Sequence, residues 1–200
     1  MFTIISPILF ALTILVLGLL TPGYNHINHT ISRLAIEKYG WIQSVNFLQL
    51  TVALFLTGEK LAASMARQTS RIVVRRTFSL TAFLAVFSAF IPTDPIENVR
   101  FSFQLVSPTG ALHVGIVLLL LFIAPFGISR LAQTFTDEPY WRNFARPTRI
   151  MGFAAFTLSI IWFFMYAAGF MLEYRGLFQK LIAVIPLLWF LLITRRIHAL

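Results

Sequence analysis

An aspartate and a histidine stand at the borders of two consecutive apolar segments. Asp94 follows the segment that ends at Ile91, and His113 opens the next one. An Asp–His pair can hold an imidazole as a general base towards water or towards a hydroxyl such as that of Ser32. Asp94, His113 and Ser32 are therefore candidate catalytic residues. The structural alternative is that Asp94 caps a turn and His113 hydrogen-bonds across the first turn of its helix.

Two further histidines follow the first apolar segment. His26 and His29 stand three residues apart, so they would share one face if this link were helical, and they could then join His113 and Asp94 as metal ligands. His-x-x-His is a loose pattern, and the sequence lacks the helical His-Glu-x-x-His signature of zinc proteases. The sequence thus predicts no metal site. If one were present, His26, His29 and His113 would be its candidate ligands. The sequence does not indicate a cofactor.

Other polar residues are candidates for binding. Arg33 and Arg175 could meet an anionic lipid headgroup, and Glu173 lies beside Arg175. Asn46 lies inside an apolar segment, where an amide normally faces another helix because its donors need partners. Asn46 is therefore expected to join two helices or to line a polar pocket, and both interpretations stay open.

The composition indicates which environment must position these residues. Apolar residues make up 58% of the chain, charged residues 12%, and there are 21 phenylalanines. A water-soluble domain has about a quarter charged residues, so the composition predicts a protein whose solvent is lipid. The absence of cysteine excludes disulfides, thiol catalysis and cysteine-bound metal centres.

Six apolar segments predict six membrane-spanning helices in one all-α bundle. A lipid core about 30 Å thick needs about 20 helical residues, and each segment approaches that length. They lie at about 4–20, 41–57, 77–91, 109–126, 150–171 and 180–194. Pro92 is expected to end the third helix, and Ser107 or Thr109 to cap the fourth. Ile31, Leu34 and Tyr39 have the spacing of a short interfacial helix. The first segment has no basic region before it and is expected to be a retained anchor.

The basic residues alternate between links, as the positive-inside rule requires of an even number of crossings. Eleven of the 16 lysines and arginines fall in the links after the second and fourth segments and in the C-terminal tail. This distribution predicts that both termini are cytoplasmic. It also explains the net charge of +9 without a nucleic-acid partner. The link after the third segment, which contains Glu97 and Arg100, falls on the outer side with Asp94, His113 and the other site candidates.

A series of short motifs along nearly the whole chain resembles a known membrane-protein family. The motifs are Pro22-Gly23-Tyr24, Ile31-Ser32 with Leu34, Asn46, Pro92-Thr93-Asp94, His113, and Arg175 with Gly176. They resemble the family called domain-of-unknown-function family nine-nine-eight. The resemblance implies six helices in a bacterial or archaeal cytoplasmic membrane and supplies no established activity.

The expected function is that of a multi-pass protein of the cell membrane. It would bind a lipid or amphiphile, or a membrane-protein partner, through the outward polar layer, and a role as an accessory subunit or a homo-oligomer is compatible with this. The alternative is a membrane-embedded lipid hydrolase or transferase that uses Asp94 and His113. A small transporter is a third interpretation, although no segment carries a charge at its centre.

Overall fold

The computed structural model describes residues 1–95 and 107–199; most of them are helical, and no strand occurs among them. The predicted all-α fold class is therefore confirmed. Short 3-10 helices occupy Ile31–Ile36 and Leu172–Tyr174. Glu97 and Arg100 lie outside the described residues. The long helices are α1 (Phe2–Leu20), α2 (Gly40–Ala63), α3 (Gln68–Phe90), α4 (Pro108–Thr136), α5 (Arg142–Ala168) and α6 (Arg175–His198).

The helix boundaries follow local chemistry where the sequence signal is strong. Helix α3 ends at Phe90, just before the restriction that Pro92 imposes. Ser107 caps α4 by accepting a hydrogen bond from the Gly110 amide at 3.0 Å, and Pro108 occupies the first helical turn. Both predictions are confirmed. The predicted short helix near Ile31 is present in the 3-10 form.

The helices are longer than the apolar segments that predicted them. The links expected to be long and basic shrink to residues 64–67 and 137–141, because α2, α3, α4 and α5 continue into them. Lysine, arginine, glutamate and glutamine are good helix formers, so the end of an apolar segment does not by itself end a helix. Their long side chains also reach water while the helix axis is still near lipid.

The six long helices form an up-and-down ring in which each contacts its sequence neighbours and α6 closes onto α1. One end of the ring holds Thr3 and His198, whose Oγ1 and Nε2 atoms are 3.3 Å apart, together with links 64–67 and 137–141. We call this the basic end. The opposite end, which we call the capped end, holds link 21–39, residues 91–95 with Ser107, and link 169–174.

The described residues contain five helices that are long and apolar enough to cross a membrane: α1, α3, α4, α5 and the segment Leu172–His198 that includes α6. Helix α2 is not among these five, and it carries Gln43, Asn46 and Gln49 within its apolar stretch. Large apolar side chains cover the outside of the ring, and Phe83, Phe153 and Phe164 are each more than half exposed. A soluble monomer does not expose apolar surface on this scale. The chain is a multi-pass membrane protein.

A buried glutamate ties the two short links of the basic end together. Glu138 is 1% exposed, and its carboxylate accepts hydrogen bonds from the amides of Ala66 at 2.7 Å and Arg67 at 3.1 Å. These amides belong to the N-terminus of α3, where a carboxylate also meets the positive end of the helix dipole. Beside it, the Trp141 indole donates to the Ser64 hydroxyl at 3.0 Å.

The carboxyl pKa of Glu138 reflects the same arrangement. Burial acts to raise this pKa. Hydrogen bonds from Ser70 and from the amides of Ala66 and Arg67, together with the Arg67 charge, act to lower it. The lowering effects are larger, so the pKa of Glu138 lies below its ordinary value of 4.5. A lowered pKa in the folded state adds stability above that ordinary value. This stability is lost as the pH falls through the folded-state pKa.

We expect Glu138→Gln to destabilise the protein by about 1–3 kcal/mol at neutral pH, because the amide nitrogen of glutamine would face a backbone N–H. The matched control is Glu59→Gln, which removes a half-exposed ion pair with Arg75 and should cost less than about 1 kcal/mol. The measurement is the melting temperature in detergent at neutral pH and below pH 4.5. The difference between wild type and Glu138→Gln should shrink in acid, and a difference that is the same at both pH values would contradict the assigned role.

Candidate functional site

A cavity of about 160 Å³ lies at the centre of the helix ring. Helices α1, α2, α3, α4 and α6 line it, and the 3-10 helix Ile31–Ile36 contributes at the capped end. Most of its wall is apolar, with Phe10, Phe47, Leu120 and Phe190 among the lining side chains. An apolar cavity of about 150 Å³ in a protein core stays dry and binds benzene. The cavity is therefore large enough to hold part of an apolar ligand.

The cavity continues towards the basic end. A second cavity of about 50 Å³, lined by Thr77, Phe78 and Trp189, shares Thr81, Phe190 and three other wall residues with the first. On α6 the combined wall reaches at least from Gln179 to Phe190, which is twelve residues or about 16 Å of helix. The space is thus elongated along the helix axes.

Four polar side chains line the larger cavity, and all four are uncharged. Ser32 and Gln179 lie at the capped end, where the Gln179 carbonyl accepts the Ile31 amide hydrogen at 2.7 Å. Thr81 donates its hydroxyl hydrogen to the Thr77 carbonyl at 2.9 Å. Ser88 is 4% exposed, and its hydroxyl has no hydrogen-bond partner among the described residues. The lining can therefore offer hydrogen bonds but no ionic contact.

Two prolines lie in the wall of the larger cavity, and a neighbouring helix compensates the backbone of one of them. Pro125 in α4 has no amide hydrogen, so the Leu121 carbonyl loses its usual helical partner. The Ser159 hydroxyl on α5 lies 2.7 Å from that carbonyl and donates to it. A neighbouring helix thus supplies the missing donor, as is required of proline within lipid. Pro186 lies in the α6 wall of the same cavity.

The link between α1 and the first 3-10 helix covers the N-terminus of α6. The Arg175 Nε donates to the Asn28 carbonyl at 3.0 Å. The Lys180 ammonium donates to the carbonyls of His26 at 3.0 Å and His29 at 2.7 Å. A Cβ on Gly176 would overlap the His29 backbone, so only glycine permits this close approach. The sequence motif Arg175-Gly176 therefore has a packing role.

The other predicted ligand-binding residues are placed differently. Arg33 forms an ion pair with Glu37 at 2.6 Å and also donates to the Pro95 carbonyl. Glu173 is exposed beside the start of α6. Asn46 donates to the Phe10 carbonyl of α1 at 3.1 Å, while its neighbour Phe47 lines the cavity. Asn46 thus makes the interhelical contact that was one of its two expected roles.

Asp94 and His113 lie near each other but bond to different groups. The Asp94 carboxylate accepts hydrogen bonds from the Ser107 amide at 2.8 Å and the Ser107 hydroxyl at 2.7 Å. The His113 Nδ1 lies 2.6 Å from the Ile91 carbonyl and donates to it, since a carbonyl only accepts. His113 is 4% exposed, and its Nε2 has no partner among the described residues.

These contacts join the end of α3 to the start of α4. The structural alternative expected His113 to bond across the first turn of its own helix, whereas its Nδ1 bonds to the end of the preceding helix. Neither Asp94 nor His113 is among the residues lining the two cavities, whereas Ser32 lines the larger one. The three candidate catalytic side chains therefore do not come together in either of these two cavities. Their catalytic role stays a prediction.

The candidate metal ligands are likewise held by protein contacts. His26 and His29 lie in turns and not in a helix, so the condition for His-x-x-His to present one face is not met. The His29 Nδ1 accepts the Asn25 amide hydrogen at 3.1 Å. Burial and the nearby Lys180 charge lower the pKa of His26 below its ordinary value. No group of three His, Asp or Glu residues within the described part of the chain is arranged to hold a metal ion.

Gln179 and Ser88 are polar residues of the cavity that sequence reasoning did not single out. A hydroxyl within an apolar segment is the only signal that Ser88 offers, and Ser79 and Thr81 share it. Ser79 is exposed on the outside of the ring, so the signal alone does not find the cavity. The direction in which each hydroxyl points depends on the packing of α3 against its neighbours.

Fold and site together define a multi-pass, all-α membrane protein with an uncharged internal cavity. The family model described as Protein of unknown function (DUF998) matches residues 4–196, and the chain belongs to this family. The family resemblance seen in the motifs is thereby confirmed. No curated protein and no solved structure matches the chain.

We expect Gly110→Ala to lower the melting temperature by at least about 3 °C, because a Cβ at this position would overlap the Asp94 carboxylate and displace it from Ser107. Gly115→Ala is the matched control on the same helix, where a Cβ would meet no atom within 4 Å. Since alanine favours a helix more than glycine does, this control should be neutral or stabilising. Equal losses in the two variants would show that Asp94 does not hold the α3–α4 junction.

Proposed function

We propose that this protein binds a single-chain lipid or a similar amphiphile in its central cavity. The observation that carries the proposal is the elongated apolar space that ends at Ser32 and Gln179 near the capped end. A ligand with one apolar chain and one polar end matches both the shape and the distribution of polar groups. Ligand sites are commonly apolar pockets with a few polar groups that fix orientation.

The proposal includes six membrane crossings, with both termini cytoplasmic and the capped end facing outward at the cell membrane. Helices α1 and α3 both run from the basic end to the capped end, so α2 must return between them. Its 24 residues give about 36 Å of helix, which exceeds a lipid core of about 30 Å. The lysines and arginines gathered towards the basic end support its cytoplasmic orientation.

The lipid hydrolase or transferase alternative gains no support from the site. The Asp94 carboxylate is engaged with Ser107, and the His113 Nδ1 is engaged with the Ile91 carbonyl. A hydrolytic pair would have to face bound substrate and a water molecule. Binding is therefore the function that the geometry favours.

We expect Ala183→Phe to reduce binding of a monoacylglycerol by at least about tenfold, because Ala183 lines the cavity and a phenyl ring would occupy its volume. The matched control is Ala11→Phe, at an exposed position on α1. Binding is measured by titrating each purified variant in lipid nanodiscs and by identifying the lipids that co-purify with it. Undiminished saturable binding by Ala183→Phe would contradict the proposed site.

Because the chain contains no cysteine, single cysteines can report the orientation. We expect a membrane-impermeant maleimide to label Glu173→Cys in intact cells and Gln68→Cys only after permeabilisation. Both positions are exposed, Glu173 at the capped end and Gln68 at the basic end. The reverse pattern would invert the proposed orientation. Labelling of both positions in intact cells would contradict the three crossings, by α3, α4 and α5, that separate them.

A further inference from the structure

We propose that the cavity selects an amphiphile with an uncharged, hydrogen-bonding headgroup, such as a glycerol ester or a long-chain alcohol, over one with a phosphate. This inference rests on the proposed function and names the class of ligand. It follows from three properties of the site: the chemistry of the lining, the engagement of the nearest cations, and the Ser88 hydroxyl, which has no partner within residues 1–95 and 107–199.

The polar groups of the lining are two serines, one threonine and one glutamine: Ser32, Ser88, Thr81 and Gln179. None of the lining residues is ionisable. A buried phosphate loses the stabilisation that water gives it and needs a cation in return. A hydroxyl or an ester loses far less hydration free energy on burial. Its hydrogen bonds can be made to the serine and threonine hydroxyls and the glutamine amide of the lining.

The cations nearest the Gln179 end bind protein carbonyls. Lys180 adjoins Gln179 in the chain, and its ammonium has three donors. The structure provides three carbonyl acceptors for it, from His26, His29 and Gly176, at 3.0, 2.7 and 3.3 Å. Arg175 is 5% exposed, and its Nε is bound to the Asn28 carbonyl. Moving either cation to a phosphate would break the contacts that cover the start of α6.

Ser88 supplies a hydrogen-bonding group that the described part of the chain does not use. Thr81, two turns earlier on α3, donates to the carbonyl four residues before it. Ser88 has no such partner among the described residues, although it is 4% exposed and lines the cavity. A buried hydroxyl without a partner is unfavourable, and a hydroxyl or carbonyl on a ligand would satisfy it.

The test compares two probes that differ only in the headgroup. A monoacylglycerol and a lysophosphatidic acid carry the same dibrominated chain, and bromine quenches tryptophan fluorescence on contact. Trp189 lines the inner continuation of the cavity, so a chain inserted from the Gln179 end would quench it. The full-length protein is titrated in nanodiscs, and Trp189→Phe identifies the quenching that arises at the cavity. This separates it from quenching of Trp41, which is exposed at 68%.

We expect saturable quenching by the monoacylglycerol with an affinity at least about tenfold higher than that of the lysophosphatidic acid. Equal or tighter binding of the phosphate probe would overturn the headgroup inference and leave the binding function in place. Absence of saturable quenching by both probes would count against the binding function itself.

Ser88→Ala tests the polar contact directly. The substitution should lower the affinity for the monoacylglycerol by about threefold to tenfold, as expected for one lost hydrogen bond. The affinity for the lysophosphatidic acid should not change. Ser79→Ala, the same change at an exposed position on α3, is the control. An equal effect of Ser88→Ala on both probes would mean that Ser88 affects packing and not the headgroup, and no effect on either would exclude it as the contact.

Discussion

Charged side chains buried against backbone groups hold this bundle at both ends. At the basic end Glu138 accepts the amide hydrogens at the N-terminus of α3. At the capped end Lys180 donates to the carbonyls of the link that covers α6, and Arg175 does the same beside it. Each of these hydrogen bonds gives a buried charged side chain a partner and also pairs a backbone group of a link. Because these charges are used within the protein, the space between the two ends is left uncharged.

The central cavity lies between these two fixed ends. The ends are fixed by short hydrogen bonds and by close approaches such as those of Gly110 and Gly176. Between the two ends, the ring is held by contacts between neighbouring helices. Helices α4 and α6 both line the cavity, and each contains a proline in its wall. A ring of six helices does not fill its own centre unless the side chains are large enough. Ala85, Ala124 and Ala183 leave part of it open.

Local chemistry explains why some predicted features are confirmed and others are not. The cap at Ser107 and the end of α3 before Pro92 are properties of a few consecutive residues, so the sequence was sufficient for both. The links after α2 and α4 were predicted to be too long. The apolar part of a segment shows where it lies in lipid, but the helix continues beyond that part into the polar residues. The candidate catalytic and ligand-binding residues, Asp94, His113, Arg33 and Arg175, were polar groups at segment borders. Their observed partners include backbone carbonyls and amides, which a sequence pattern does not specify.

Composition and charge act on each segment independently of the others, so they were enough to predict a lipid environment, a helical class and alternating basic links, and the family motifs could be read directly. Which polar residues share a cavity depends instead on how the helices pack. Ser88 and Ser79 belong to the same helix and the same residue type, yet one lines the central cavity and the other is exposed on the outside. The rotation of a helix about its own axis decides between them, and this rotation is set by contacts with helices that are distant in the chain.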